Sequence, residues 1–161
     1  MDAPDEPVAG RRVAAHPAPH ATLAPGQRLA RGVCRLLRRM DFAPLEEAVP
    51  APGLRTDVMA LGAKGEIWVI ECKSSRADFA TDRKWQGYLA WCDRFFWAVP
   101  ADFPQALLPE GAGVILADDY GAEIIAMAAE HPLPAARRRA LTQRFARMAA
   151  FRNQMLRDPQ R

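Results

Sequence analysis

Cysteine and lysine are scarce in this chain, and long apolar runs are missing. Three cysteines, Cys34, Cys72 and Cys92, stand among 161 residues. They are odd in number, lack CxxC spacing and lie in apolar or periodic segments, which excludes a disulfide framework or a zinc ribbon and leaves reduced core thiols. No stretch approaches the ~18 apolar residues of a membrane span. The opening MDAPDEP is acidic and has no apolar core, which argues against a secretory signal, so a cytoplasmic location is expected. Internal repeats are absent, and the length suits one domain able to bury a core without covalent staples.

Net charge is only +3, with nineteen arginines against three lysines, a bias that extends over the whole chain. Its distribution is uneven. Residues 26–40 hold Arg28, Arg31, Arg35, Arg38 and Arg39 with no acid, and residues 135–161 hold eight arginines against Asp158 alone. Both read as helices: Leu29, Val33, Leu36, Leu37 and Met40 recur on one face of the first, and Leu141, Phe145, Met148, Ala149 and Leu156 on one face of the second. The opposite faces are basic, which fits either a solvated surface or the electrostatic footprint of a nucleic-acid binder. Arg137, Arg138 and Arg139 form the run suited to phosphate contact, since guanidinium groups bind phosphate through paired hydrogen bonds.

The remaining organisation follows from local signals. Residues 1–25 are rich in Pro and Ala, lack a hydrophobic period and read as a disordered tail in which His16 and His20 are bystanders. Pro25-Gly26 opens the first helix. An edge strand is expected over 44–49. Residues 82–92 read as a helix interrupted by Gly87, with Lys84, Tyr88 and Trp91 on one face and Trp85, Leu89 and Cys92 on the other. The unbroken apolar run from Phe95 to Val99 reads as a buried strand, and Val114–Ala117 and Glu123–Met127 flank a second hairpin at Asp118-Asp119-Tyr120-Gly121. The four tryptophans between residues 68 and 97 read as core. Ser74-Ser75 offers helix-start chemistry, while Asp78 and Asp82 suit either capping or outer support of a metal. One domain is expected over 26–157, followed by a short tail, 158–161.

The densest chemistry lies between these elements. Residues 55–61 (RTDVMAL) and 66–73 (EIWVIECK) are two β-rich runs around Gly62-Ala63-Lys64-Gly65, a hairpin signature. Side chains alternate along a strand, so Glu71 and Lys73 emerge on the face of Ile67 and Val69. Asp57 faces Glu71 only if the loop has an odd number of residues, and Ala63-Lys64-Gly65, ending in a glycine able to take the left-handed conformation, supplies such a loop. An even loop turns Asp57 away. Magnesium takes oxygen ligands and is commonly held by one or two carboxylates, waters and substrate phosphate. Asp57 and Glu71 offer the carboxylates and the Cys72 backbone carbonyl a third oxygen. A cation held there lowers the pKa of water and stabilises charge at phosphorus. Lys73 stands beside it to orient or deprotonate that water, or to stabilise the transition state. The bland alternative is a solvated face carrying weak ion pairs.

Asp57 followed by Glu71-Cys72-Lys73 resembles the D…(D/E)xK signature of the PD-(D/E)xK nuclease superfamily, which includes restriction endonucleases and Holliday-junction resolvases. More closely, RTDVMAL…GEIWVIECKSSRADFATDRKWQGYLAWCDRFFWAVP resembles the MmcB-like DNA repair proteins, over about residues 26–155. The resemblance implies a restriction-endonuclease-like α/β fold, a mixed central sheet flanked by helices around an αβββαβ core. It implies catalytic roles for Asp57, Glu71 and Lys73, a Mg²⁺ or Mn²⁺ cofactor, and DNA, with other repair proteins, as partners. Thr56 replaces the proline of the superfamily's name. An extra acidic ligand, carried earlier in the chain by many members, maps to Glu46 or Glu47. Lys84, on the helix after the motif, and Arg55, beside it, become candidate DNA contacts. The function expected is divalent-metal-dependent cleavage of DNA in repair; the alternative is a DNA-binding repair accessory of the same fold with little intrinsic cleavage.

Overall fold

A strand apolar on both faces needs a layer on each side, and the centre of this protein is built of such strands. The computed structural model describes residues 23–159. Of the tail expected over 1–25, residues 1–22, with His16 and His20, lie outside them, as do the last two residues of the chain. In β3 (Ile67–Cys72) all six residues are buried, and β2 (Val58–Gly62) and β4 (Arg94–Val99) each leave one residue partly exposed. With β1 (Phe42–Glu46), β5 (Gly113–Ala117) and β6 (Ala122–Ala126) they form a six-stranded sheet in chain order. The β3–β4 and β4–β5 pairs are parallel and the outer pairs antiparallel. This is the mixed sheet with flanking helices that the sequence led us to expect.

Helix α1 (Pro25–Arg39) covers one face. Its stripe of Leu29, Val33 and Leu37 packs on Val58, Ile70, Phe96 and Ile115. Gly32 is needed at the closest point, because a Cβ there would lie 2.2 Å from the Asp118 carbonyl oxygen and 2.4 Å from that of Gly121. The other face carries Met59, Ile67, Val69, Phe95 and Trp97 and is covered by α2 (Arg76–Thr81), a 3₁₀ segment (Trp85–Trp91) and α3 (Ala135–Arg157), which brings Leu141 and Phe145. The first parallel connection, from β3 to β4, runs through α2 and the 3₁₀ segment.

The β2–β3 hairpin has the odd loop. The Gly62 N–H donates to the Glu66 carbonyl at 2.8 Å, the Gly65 N–H donates to that of Gly62 at 2.9 Å, and Gly65 has φ +86°. Val58 therefore pairs with Ile70 and Met59 with Val69, the register that sets Asp57 opposite Glu71.

Three details differ from expectation. The edge strand β1 ends at Glu46 because Glu47 turns to φ +49°. Residues 82–92 do not form one α-helix: Asp82 to Lys84 are non-helical and the following turns are 3₁₀, with a period of three that aligns Trp85, Tyr88 and Trp91. Trp85 consequently packs on Phe95 and Trp97, at ring distances of 5.6 and 5.8 Å, while Leu89 is exposed. Leu156, expected on the buried face of α3, is 84% exposed, because the contacts of α3 with the core end near Met148.

Candidate metal centre

Asp57 and Glu71 stand where β2 and β3 part. The last ladder pair is Val58 with Ile70, and beyond it side chains replace ladder carbonyls. The Asp57 N–H donates to Glu71 Oε1 at 3.1 Å, and the Cys72 N–H donates to Asp57 Oδ2 at 2.7 Å. Each acid clasps the other's strand. The segment before Asp57 is fixed as firmly: buried Thr56 gives its N–H and hydroxyl to the Ala48 carbonyl at 2.9 and 3.2 Å, and the Glu47 N–H donates to the Asp57 carbonyl at 2.9 Å. A proline at 56 would have no N–H to give, which accounts for threonine there. From the 3₁₀ segment, the Tyr88 hydroxyl donates to the Arg55 carbonyl at 2.7 Å.

Lys73, two residues past Glu71, is also buried. Its Nζ lies 2.8 Å from Asp82 Oδ2 and 3.9 Å from Glu71 Oε2. Burial pushes the Glu71 carboxyl up to about 8, and the charge of Asp57 adds to it against the opposing Asp57 N–H and Lys73. Burial also raises Asp57, with the charges of Asp78 and Asp82 adding, while the Cys72 N–H and Lys73 oppose. Burial pulls the Lys73 ammonium down, but the hydrogen bond and charge of Asp82, with Glu71, outweigh this and hold it above its ordinary value. Burial likewise raises Asp82, yet Lys73 and the N–H groups of Lys84 and Trp85 bring it below the usual carboxylate range. Asp82 and Lys73 thus satisfy each other. Asp57 and Glu71 are left with two negative charges and no cation of their own, a deficit that one proton halves and a divalent cation removes.

The other candidates separate. Glu46 pairs with Val58 and so points to the α1 face, where its Oε1 accepts from Cys34 Sγ at 3.8 Å, across the sheet from Asp57 and Glu71. Glu47 is exposed. Among the described residues no group of three or more His, Cys, Asp or Glu is gathered to hold a metal. The extra acidic ligand expected at Glu46 or Glu47 is therefore not built, and the candidate centre has two carboxylates with the Cys72 peptide beside them.

Arg138 is committed elsewhere, contrary to its expected role on DNA. It makes a forked pair with Asp93 at 2.6 and 2.7 Å and donates to the Gly65 carbonyl at 2.7 Å. Asp93 is buried and also accepts from the N–H groups of Ile67 and Leu133, each at 2.8 Å, so this cluster secures the start of β3, the opposite end from Glu71. Arg137 donates to the Ala90 carbonyl at 2.8 Å and lies over the Trp91 ring. Arg139, Arg55 and Lys84 are exposed, Lys84 standing just ahead of the 3₁₀ segment rather than on a helix with Tyr88 and Trp91. The arginines of α1 lie on the far side of the sheet, and Arg35 donates to the Tyr120 carbonyl at 2.9 Å.

Fold and site together define a mixed α/β protein with a facing acid pair, Glu71 buried and Asp57 half-buried, and an adjacent lysine at the open end of a hairpin. The chain belongs to the MmcB-like family of DNA repair proteins, which it matches over residues 18–160. Among solved structures it is similar to a protein of unknown function from Silicibacter pomeroyi, with 64% identity and a TM-score of 0.84 over 86% of this chain and 94% of that one. No curated protein matches the chain. No helix among the described residues is long and apolar enough to cross a membrane.

Proposed function

We propose that the protein is a Mg²⁺- or Mn²⁺-dependent phosphodiesterase that cleaves DNA in repair. One observation carries this reading: buried Glu71 and half-buried Asp57 face each other across a strand pair, and Lys73 beside them is already neutralised by Asp82. Magnesium keeps several waters and takes one or two carboxylates plus substrate phosphate, so a two-acid centre suits a cation completed by DNA. Asp57 and Glu71 would hold it, near the Cys72 peptide. When bound, the cation supplies Lewis acidity at the scissile phosphate and lowers the pKa of the attacking water. Lys73, held protonated by Asp82, stabilises negative charge on the phosphate oxygens rather than accepting a proton.

Membership of the repair family supports DNA as the partner. The acids support cleavage, because a pure DNA binder gains nothing from paired carboxylates that repel phosphate. The test is incubation of purified protein with single-stranded, duplex, flapped, branched and abasic DNA in Mg²⁺, Mn²⁺ or EDTA. Cleavage of at least one substrate is expected with metal and none in EDTA. Equal DNA binding in EDTA and Mg²⁺, with no substrate cut, would replace this reading by the DNA-binding accessory.

A further inference from the structure

Lys73 is held short of the nearest acid that it would otherwise pair with. Its Nζ is 2.8 Å from Asp82 Oδ2 but 3.9 Å from Glu71 Oε2, and the side chains of Lys73 and Asp82 are only 10% and 9% exposed, so water screens this pair little. Asp82 is itself fixed, because its Oδ1 accepts from the N–H groups of Lys84 and Trp85 at 2.9 and 3.2 Å. One carboxylate both starts the 3₁₀ segment and grips the lysine.

We propose that Asp82 is a positioning residue that holds the Lys73 ammonium off Glu71 and so keeps the Asp57–Glu71 pair open to a divalent cation. The inference rests on the phosphodiesterase reading for the use of that pair as a metal centre. Released from Asp82, the ammonium needs to move only about 1 Å to make a charge-assisted hydrogen bond with Glu71 Oε2. There it would occupy an oxygen that the cation requires. Asp82 therefore controls access to the centre through Lys73, without touching either cation or substrate.

The test is Mn²⁺ binding to the full chain by isothermal titration calorimetry. Asp82→Asn keeps an oxygen for the two N–H groups and removes the charge that holds Lys73; Mn²⁺ affinity is expected to fall about tenfold, the usual scale for an outer partner of a metal ligand. Asp82→Asn combined with Lys73→Met should restore native affinity, since no ammonium remains to occupy Glu71. Asp78→Asn is the control for charge alone, because Asp78 accepts from Ser74 and not from Lys73, and it should change affinity less than about threefold. Equal losses in Asp78→Asn and Asp82→Asn would reduce the effect to net charge and overturn the proposal. So would native affinity in Asp82→Asn, or a double variant that binds no better than Asp82→Asn.

If Asp82→Asn does not fold, Asp82→Glu keeps a carboxylate within reach of Lys73. It should bind within about threefold of native, and a tenfold loss there overturns the positioning role. Mn²⁺ binding with this pattern but no DNA cleavage removes the phosphodiesterase and leaves the role of Asp82 standing. A native chain that binds no Mn²⁺ removes both.

Discussion

Replacing Glu71 by Gln should make the metal-free protein more stable at pH 8 and leave it nearly unchanged at pH 5. Glu71 holds its proton in the folded chain up to about 8, whereas an ordinary glutamate releases it near 4.5. Between those values the folded state binds more protons than the unfolded one, so stability falls as pH rises through this window. The full difference corresponds to on the order of 5 kcal/mol, of which on the order of 3 kcal/mol accrues between pH 5 and pH 8. That is a large part of the ~5 to 15 kcal/mol that holds a domain together. Gln has the same shape, can still accept the Asp57 N–H, and carries no charge to bury. Urea unfolding in EDTA at pH 5, 6, 7 and 8 should therefore show native and Glu71→Gln curves that coincide at the acid end and separate toward pH 8, and in thermal scans at pH 8 the variant should melt about 10 °C higher.

Divalent cation closes most of that gap. At pH 8, Mn²⁺ at about a hundredfold excess over its dissociation constant should stabilise the native chain by ~2.7 kcal/mol and the variant hardly at all. Parallel pH curves for the two proteins would show that Glu71 is not the buried acid described above. An equal Mn²⁺ effect in both would place the cation elsewhere.

Further outcomes are expected. Asp57→Ala should abolish metal-dependent cleavage, while Lys73→Ala should lower kcat with Mn²⁺ binding kept; single-turnover assays and calorimetry separate the two. Arg138→Ala leaves buried Asp93 unpaired and should destabilise the fold by about 3 kcal/mol in urea unfolding, without changing the salt dependence of DNA binding. Arg139→Ala with Arg147→Ala, both exposed on α3, should instead reduce the salt slope of duplex binding by ~0.9 per lost phosphate contact at unchanged stability. Gly32→Ala forces a methyl against two carbonyl oxygens and should lower stability by ~1 to 3 kcal/mol or more, read from the melting temperature.

The central hairpin was legible because two local facts determine it: an odd loop and a glycine placed for positive φ. From those, strand alternation puts Asp57 opposite Glu71 with no knowledge of the rest. Phe95 to Val99 was legible as a buried strand for a similar reason, since an apolar run needs cover on both faces. The 3₁₀ segment was not legible, because over seven residues a period of three and a period of 3.6 predict nearly the same apolar pattern. Glu46 and Glu47 are chemically alike in sequence, and only pairing with β2 sends Glu46 toward Cys34. Asp93 gave no signal, because its partners Ile67, Leu133 and Arg138 lie 26, 40 and 45 residues away. Arg138 was indistinguishable from its two neighbours until Asp93 was placed. Asp82 was visible in part: a carboxylate just ahead of a helical turn reads as a cap, but its grip on Lys73 depends on where β3 ends.

The order of strands in the sheet suggests an order of events in folding. Because each strand lies beside the one before it, the sheet can grow by adding neighbours, and its loop closures are short. Helix α3 is different. It reaches back to the segment ahead of Asp57, where Arg144 donates to the Pro50 carbonyl and Arg152 to those of Glu46 and Glu47, across separations of 94 to 106 residues. Such long closures are slow, so α3 is expected to dock last and to tighten a segment that the sheet has already laid down. On that order the acid pair would be assembled by fast, local steps, and the rigidity of the backbone leading into it would wait for the C-terminal helix. A chain interrupted before that step would have its acids opposite each other and their approach still loose.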